Sequence, residues 1–387
     1  MSDRVINIDA LEKRPHSTDI CFFTTSISGG GAERIIVYLA GHFATKGLNV
    51  DVVVCKSSAK ETLENLLPDN VRLISLNARR TLLCLPAYLK YLRTARPKVV
   101  LSTIIRANIL AGLAKICMAP KHQLIIRGEI SLQMWKDPGK IIQSKWFLIP
   151  LTVLSYPFAD KFIGVSKGVC AEFIKLPFVK KDKVHCIYNP TINDNFTKRM
   201  DEAITLPDQV DANLPIILAA ARLAPEKDYP TMFRAFKKVR EHTDCQLVIV
   251  GDGHIRDELK ALTKTMGIDE RTHFIGFVPN AVAYMKRADV FVLSSLAEGL
   301  PNALIEALAT GTQVVSTDCP HGPKEILESG RFGGFVSIGD DDAMAKSIIE
   351  ALKNANAPMS QDLKEHMKQF HIDFVSPRYE EIVWGDH

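Results

Sequence analysis

Two glutamates eight positions apart, Glu298 and Glu306, stand in the run A-E-G-L-P-N-A-L-I-E at 297–306, directly behind an apolar, strand-like segment at 289–294. In an open parallel sheet, ligands gather beyond the carboxyl ends of strands. Pro301 suits the first turn of a helix, where its missing N–H costs nothing. The free N–H groups and the positive dipole end of that helix would then face an anion. Glu306 lies just over one turn inside, where a carboxylate can accept two hydrogen bonds from a vicinal diol such as a ribose. A second segment, A-R-L-A-P-E-K-D-Y at 221–229, follows the strand-like run P-I-I-L-A-A. Arg222 and Lys227 would clamp a diphosphate and neutralise charge growing on a leaving phosphate. A solvated helix start for the glutamates and surface ion pairs for the cations remain the plainer alternatives.

Three further groups carry polar chemistry. Ser28 and Gly29, Gly30 and Gly31 form a glycine turn between an apolar run at 19–25 and a helical pattern at 32–43. Such a turn either lets backbone approach a phosphate or is simply tight. Q-L-I-I-R-G-E at 123–129 ends a strand with Arg127 and Glu129 aimed at a ligand, and Ser102, Arg106 and Asn108 come from another strand end. Pairing of Arg127 with Glu129 alone is an equal alternative. Asp340, Asp341 and Asp342 precede a helical pattern and read as a cap. No D-x-D follows a strand in a donor-binding context, and the eight cysteines contain no C-x-x-C pair, so no metal is expected.

The elements that must position these residues are β-α cycles. Strand, glycine turn, helix and the β-branched run at 49–55 make a βαβ unit. More strands are expected at 71–76, 98–102, 123–127 and 161–165. The pattern restarts with strands at 215–220, 245–251, 273–276, 289–294 and 313–316, and with helices at 231–242, 255–266 and 302–310. Uninterrupted apolar runs imply strands covered on both faces, as in parallel sheets. The expectation is two doubly wound α/β domains: a flexible leader at 1–18, an N-terminal domain at 19–195, a linker near 190–213, and a C-terminal domain at 210–372.

At 387 residues, with 47% hydrophobic and 24% charged, the chain is large enough for two domains and is neither disordered nor fibrous. The first twenty residues are polar, without a secretory apolar run. The most apolar segment, 146–159, is too short for a membrane span. Residues 1–200 carry 29 Lys and Arg against 15 Asp and Glu, and the remainder carries 19 against 29. A basic first half suggests a polyanionic partner, such as an anionic membrane leaflet. Apolar residues at 135–158, mixed with Lys136, Lys140 and Lys145, would dip into that interface or else pack in the core. The basic half shows neither a nucleic-acid-binding motif nor aromatic interleaving. A cytoplasmic protein, peripheral on the inner face of the plasma membrane, is expected.

Taken together, Arg222 and Lys227, V-G-D-G at 250–253, G-F-V at 276–278 and E-G-L-P-N-A-L-I-E resemble the retaining GT-B glycosyltransferases of family 4. The match is close over about 200–340 and looser in the first half, through S-I-S-G-G-G-A-E-R at 26–34. The resemblance implies two Rossmann-like domains facing across a cleft, with a C-terminal helix at about 373–387 returning to the first. It implies that Arg222 and Lys227 bind the donor diphosphate, that Glu306 holds the ribose, and that Glu298 with the backbone of Gly299, Leu300, Pro301 and Asn302 grips the sugar. Gly251, Phe277 and Val278 would face the nucleotide, and Gly29–Gly31 would approach the same phosphates. Arg106, Arg127 and Glu129 become acceptor-side candidates, with Glu129 catalytic. D-C-P-H-G-P-K-E-I-L at 318–327 resembles bacterial members that move N-acetylhexosamine or galactose from UDP and often build lipid-linked oligosaccharides. Lys324 stands where arginine is commoner, and His321 lines the site or faces water.

The implied activity is retaining transfer from a UDP-sugar, a substrate rather than a cofactor, to a lipid-diphosphate-linked or polysaccharide acceptor. No protein nucleophile is paired with a base, so same-face departure and attack is expected, without metal. A glucan or sugar-phosphate synthase, a nucleotide-sugar epimerase and a non-catalytic nucleotide-binding module are the alternatives.

Overall fold

The computed structural model describes residues 5–11, 17–56, 63–78, 81–118, 121–129 and 145–385. The apolar runs become two all-parallel sheets. The first holds β1 (Val5–Asn7), β2 (Ile20–Thr24), β3 (Val50–Val54), β4 (Arg72–Ser75), β5 (Val99–Thr103), β6 (Gln123–Gly128), β7 (Lys161–Gly164) and β8 (Val184–Cys186). Their order is β1-β4-β3-β2-β5-β6-β7-β8. The second holds β9 (Ile216–Ala220), β10 (Gln246–Val250), β11 (Thr272–Gly276), β12 (Val290–Leu293), β13 (Gln313–Thr317) and β14 (Gly334–Val336), in the order β11-β10-β9-β12-β13-β14. Each is doubly wound, as two Rossmann-like domains require: succession runs outward to one edge from β9 and to the other from β12. β2, β3, β5, β9 and β10 are buried along their whole length, which is why they read as unbroken apolar runs.

The chain divides into two compact units. One comprises Met1–Trp135, Ile142–Pro190 and Ile372–His387, and the other is built on Thr191–His371. The last helix, Ile372–Trp384, belongs to the first unit because Ile372, Val375, Tyr379, Ile382 and Val383 form an apolar stripe buried in that core. The expectation of a flexible leader is corrected for residues 5–11. Val5, Ile6 and Asn7 pair in parallel with Leu73, Ile74 and Ser75, adding an edge strand too short for its periodicity to register.

Asp51 interrupts the apolar run of β3 and is fully buried. It accepts hydrogen bonds from Arg72, Tyr91 and Thr18, so its charge is compensated rather than functional. Close approach fixes two glycines in the loop after β10, against the loop after β9. A Cβ on Gly251 (φ +130°) would lie 2.0 Å from Ala221 O, and one on Gly253 would lie 2.0 Å from Leu223 O. These loops are stitched together: Leu223 N–H donates to Asp252 O, and Gly251 N–H to Gly276 O at 2.7 Å.

Candidate functional site

β9 and β12 pair directly, with Ile217 opposite Val290, and succession reverses between them. This is the switch point where α/β sheets hold ligands. The loop after β9 carries Arg222 and Lys227, and the loop after β12 carries Glu298 and Gly299–Asn302. Backbone and hydroxyl contacts tie the two loops together. Leu296 N–H donates to Glu226 O at 2.8 Å, and Ser294 Oγ donates to Lys227 O at 2.6 Å. Lys227 Nζ then lies 2.5 Å from Glu298 Oε1, which also accepts Ser295 Oγ at 2.6 Å. Both partners are mostly buried, at 18% and 12% exposed, whereas Arg222 is 71% exposed and pairs with Glu226 at 2.6 Å. The structure thus joins Lys227 to Glu298 and leaves Arg222 beside them on the surface.

The helix Asn302–Ala309 begins where the sequence places it and ends one residue earlier. Pro301 sits at its cap with φ −72°, not inside the first turn. Pro301 gives that end no side-chain cap, and its carbonyl accepts Leu304 N–H at 3.1 Å. The 318–327 segment lies against this entry. Glu298 N–H donates to Pro320 O, and a Cβ on Gly322 (φ +88°) would meet Pro301 Cδ at 2.6 Å and Gly299 O at 3.1 Å. Cys319 is buried here. Burial, reinforced by Glu298, pushes its thiol up to about 12, so it is no thiolate nucleophile.

Glu306 is buried on this helix and pairs with Arg199 at 2.9 Å. Phe277, half exposed, and Val278 follow β11 and lead to Asn280, whose Nδ2 donates to Arg199 O at 2.6 Å. Arg199 and Asn280 were missed by sequence reasoning, because Arg199 lies in a polar stretch that reads only as linker. Ser295 was missed as well.

In the first unit three expectations change. Arg127 does not aim at a ligand. It is fully buried, donating to Tyr379 Oη at 3.0 Å, Thr103 Oγ1 at 3.3 Å and Asn189 Oδ1 at 2.5 Å, and it is ion-paired with Glu129. Glu129, 9% exposed, takes part in that pairing, which is the local alternative. The amides of Gly29 and Gly30 both donate at 3.0 Å to Glu33 Oε2, which fixes the turn and occupies the donors expected to meet phosphate. The three-residue spacing of Gly30 and Glu33, half of a capping box, was the available signal. Arg106 is exposed in the first turn of Ile105–Met118. Before it, Ile104 has φ +66°, a left-handed conformation that is strained for a β-branched residue. Ser102 is buried at this strand end, and Asn108 donates to Arg127 O.

The apolar stretch at 135–158 falls partly outside the described residues, as do Lys136, Lys140 and the side chain of Lys145. In its described part, the helix Lys145–Ser155 and the turn after it expose Ile149, Val153, Leu154 and Phe158. No helix among the described residues is long and apolar enough to cross a membrane. His321 has φ +65°, within the 318–327 turn.

Residues 204–370 match the family described as glycosyl transferases group 1, and residues 29–191 match glycosyltransferase family 4. Two relatives from Campylobacter jejuni are similar. The N-acetylgalactosamine-N,N'-diacetylbacillosaminyl-diphospho-undecaprenol 4-alpha-N-acetylgalactosaminyltransferase is 30% identical over 64% of this chain and 65% of its own length. The GalNAc-alpha-(1->4)-GalNAc-alpha-(1->3)-diNAcBac-PP-undecaprenol alpha-1,4-N-acetyl-D-galactosaminyltransferase is 29% identical over 94% of this chain and 98% of its own. Among solved structures, Anabaena HepE in complex with UDP and glucose superposes with a TM-score of 0.76 at 18% identity, over 95% of this chain and 100% of that one, which is a likeness of fold.

Proposed function

Because the chain belongs to the GT-B glycosyltransferases that join a family 4 domain to a group 1 domain, we propose that it transfers a sugar with retention of configuration. The donor is a UDP-sugar, and the acceptor is a lipid-diphosphate-linked or polysaccharide glycan. The observation that carries this reading is the pair of loops at the β9–β12 switch point, with Arg222, Lys227 and Glu298 at the mouth of an uncapped helix. The diphosphate rests on Arg222, Lys227 and the first-turn N–H groups, where its charge is met by cations and a dipole. Glu298 with the Gly299–Asn302 backbone holds the sugar, Glu306 holds the ribose, and Gly251, Phe277 and Val278 line the nucleotide.

In the reaction the bond from the anomeric carbon to the phosphate oxygen breaks as the acceptor hydroxyl attacks from the same face. The departing phosphate oxygen takes the hydroxyl proton. Arg222 and Lys227 stabilise the charge on the leaving UDP, the role a divalent ion fills elsewhere. The names of the Campylobacter relatives support N-acetylhexosamine as the sugar and a polyprenyl-diphosphate-linked glycan as the acceptor. The exposed apolar residues of Lys145–Ser155 and the basic first 200 residues support docking on an anionic cytoplasmic leaflet.

A panel of UDP-, GDP- and ADP-sugars assayed for thermal stabilisation tests the donor, since a ligand that binds only the folded state raises Tm. UDP-N-acetylhexosamines are expected to give the largest shift. An inverted anomeric centre in the product refutes retention, and donor consumption without acceptor favours epimerisation.

A further inference from the structure

Within the stretch Thr191–His371, a short helix, Phe196–Met200, lies beside the helix Ala281–Arg287. Arg199 on it makes two different contacts. Its guanidinium reaches Glu306 Oε1 at 2.9 Å, with the two side chains 17% and 10% exposed. Its carbonyl accepts Asn280 Nδ2 at 2.6 Å. Asn280 is itself fixed: its Oδ1 caps Ala281–Arg287 by accepting Val282 N–H, and its Nδ2 also donates to Glu202. Arg199 lies over the ring of buried Phe196, at 6.0 Å from its centroid. One residue therefore ties the carboxylate on the helix after β12 to the turn after β11.

We propose that Arg199 is a positioning residue for the nucleoside half of the donor. It orients the Glu306 carboxylate toward the ribose diol, and its backbone holds the Phe277–Asn280 turn at the base. This rests on the roles given above to Glu306 and Phe277–Val278. The chemistry follows from geometry. A carboxylate offers about four lone-pair sites, so one guanidinium bond fixes its plane without exhausting its capacity for hydroxyls. A largely buried carboxylate that loses its cation is free to turn, and it pays a desolvation penalty that weakens the orientation a diol needs.

The test is calorimetric titration of UDP, 2′-deoxy-UDP and inorganic pyrophosphate into wild type, Arg199→Met, Arg199→Lys and the Arg222→Ala/Lys227→Ala double variant. Losing a charge-assisted contact predicts that Arg199→Met binds UDP roughly tenfold more weakly. Its preference for UDP over 2′-deoxy-UDP should fall toward one, while its pyrophosphate affinity stays within about twofold of wild type, since no phosphate contact is touched. Arg199→Lys should restore part of the ribose preference, and it keeps the proposal falsifiable if the Met variant does not fold. An unchanged ribose preference in Arg199→Met, or an equal loss for all three ligands, overturns the proposal. The double variant separates the two levels. If it binds pyrophosphate as wild type does, the diphosphate reading itself fails; if it loses pyrophosphate while Arg199→Met keeps its ribose preference, only the role of Arg199 fails.

Discussion

Lys227 and Arg222 are both assigned to the donor diphosphate, yet their surroundings predict unequal contributions. Lys227 is 18% exposed and is held against Glu298, so a phosphate there meets a cation that is already ordered and largely shielded from water. Such a charge-assisted hydrogen bond contributes about 2–3 kcal/mol, or roughly 30- to 150-fold in affinity. Removing Lys227 also leaves the Glu298 carboxylate facing the diphosphate with Ser295 as its remaining named partner, which adds repulsion to the loss. Arg222 is 71% exposed, and the ordinary worth of an exposed pair is about 0.5–1 kcal/mol, or roughly two- to fivefold. Ionic strength separates the two. The screening length falls from about 10 Å at 0.1 M salt to about 3 Å at 1 M, so the deficit of Arg222→Ala should vanish at high salt while most of the Lys227→Ala deficit persists. Isothermal titration of UDP at both salt concentrations, beside the Tm of each ligand-free variant, makes the measurement. A larger loss for Arg222→Ala than for Lys227→Ala, or a double variant that binds as wild type does, refutes the reasoning.

Two predictions concern the first unit. His122 is buried; desolvation, then nearby Lys115, lowers its pKa to about 4, with Asp160 opposing them. The unfolded chain takes up this proton near pH 6.5 and the folded one near 4, so the stabilisation is complete above about pH 6.5 and is lost as pH falls toward 4, by at most about 3 kcal/mol. Urea midpoints between pH 7 and 5 should fall more steeply for wild type than for His122→Gln, and equal slopes would discard the idea. Arg127→Met should destabilise the protein by about 3–5 kcal/mol, because it strands the largely enclosed Glu129 side chain and buried Asn189 without their cation. Tyr379→Phe, which removes one neutral acceptor, should cost only about 1 kcal/mol. A change under about 1 kcal/mol for Arg127→Met in urea unfolding would show that the buried network is not structural.

The central strands of both sheets were legible because they are buried on two faces, and continuous apolar runs such as Q-L-V-I-V have few other readings. Edge strands were not. β1, β8 and β14 are three residues each, and most of their positions keep some exposure, so their pattern is diluted. The loops after β9 and β12 were legible as chemistry because charge and glycine sit together directly behind strands. What a charged residue at a strand end points toward was not. Arg127 and Arg222 occupy equivalent sequence contexts, yet Arg127 is enclosed by the returning helix, whose Tyr379 lies 252 positions away, while Arg222 is left in solvent. Local spacing carries no information about a partner at that separation.

The same limit explains why the arginine at 199 went unnoticed, and it bears on how the site functions before a donor arrives. Each cation assigned to the donor region already has a carboxylate: Arg222 with Glu226, Lys227 with Glu298, Arg199 with Glu306. The backbone under Lys227 is pinned from both sides, its N–H donating to Ala224 O and its carbonyl accepting Ser294 Oγ. In the proposed reading, an arriving diphosphate would draw the Lys227 ammonium from an already ordered backbone, while the exposed Arg222 would turn from Glu226. The ordering entropy that association would otherwise demand is met at folding. The carboxylates serve this end by holding the cations in place without neutralising them permanently, because a diphosphate with more negative charge than one glutamate competes for the same ammonium. It follows that Glu298→Gln should loosen Lys227 even as it removes a negative charge from the pocket, and that the balance of these two opposed effects, rather than charge alone, sets donor affinity at this switch point.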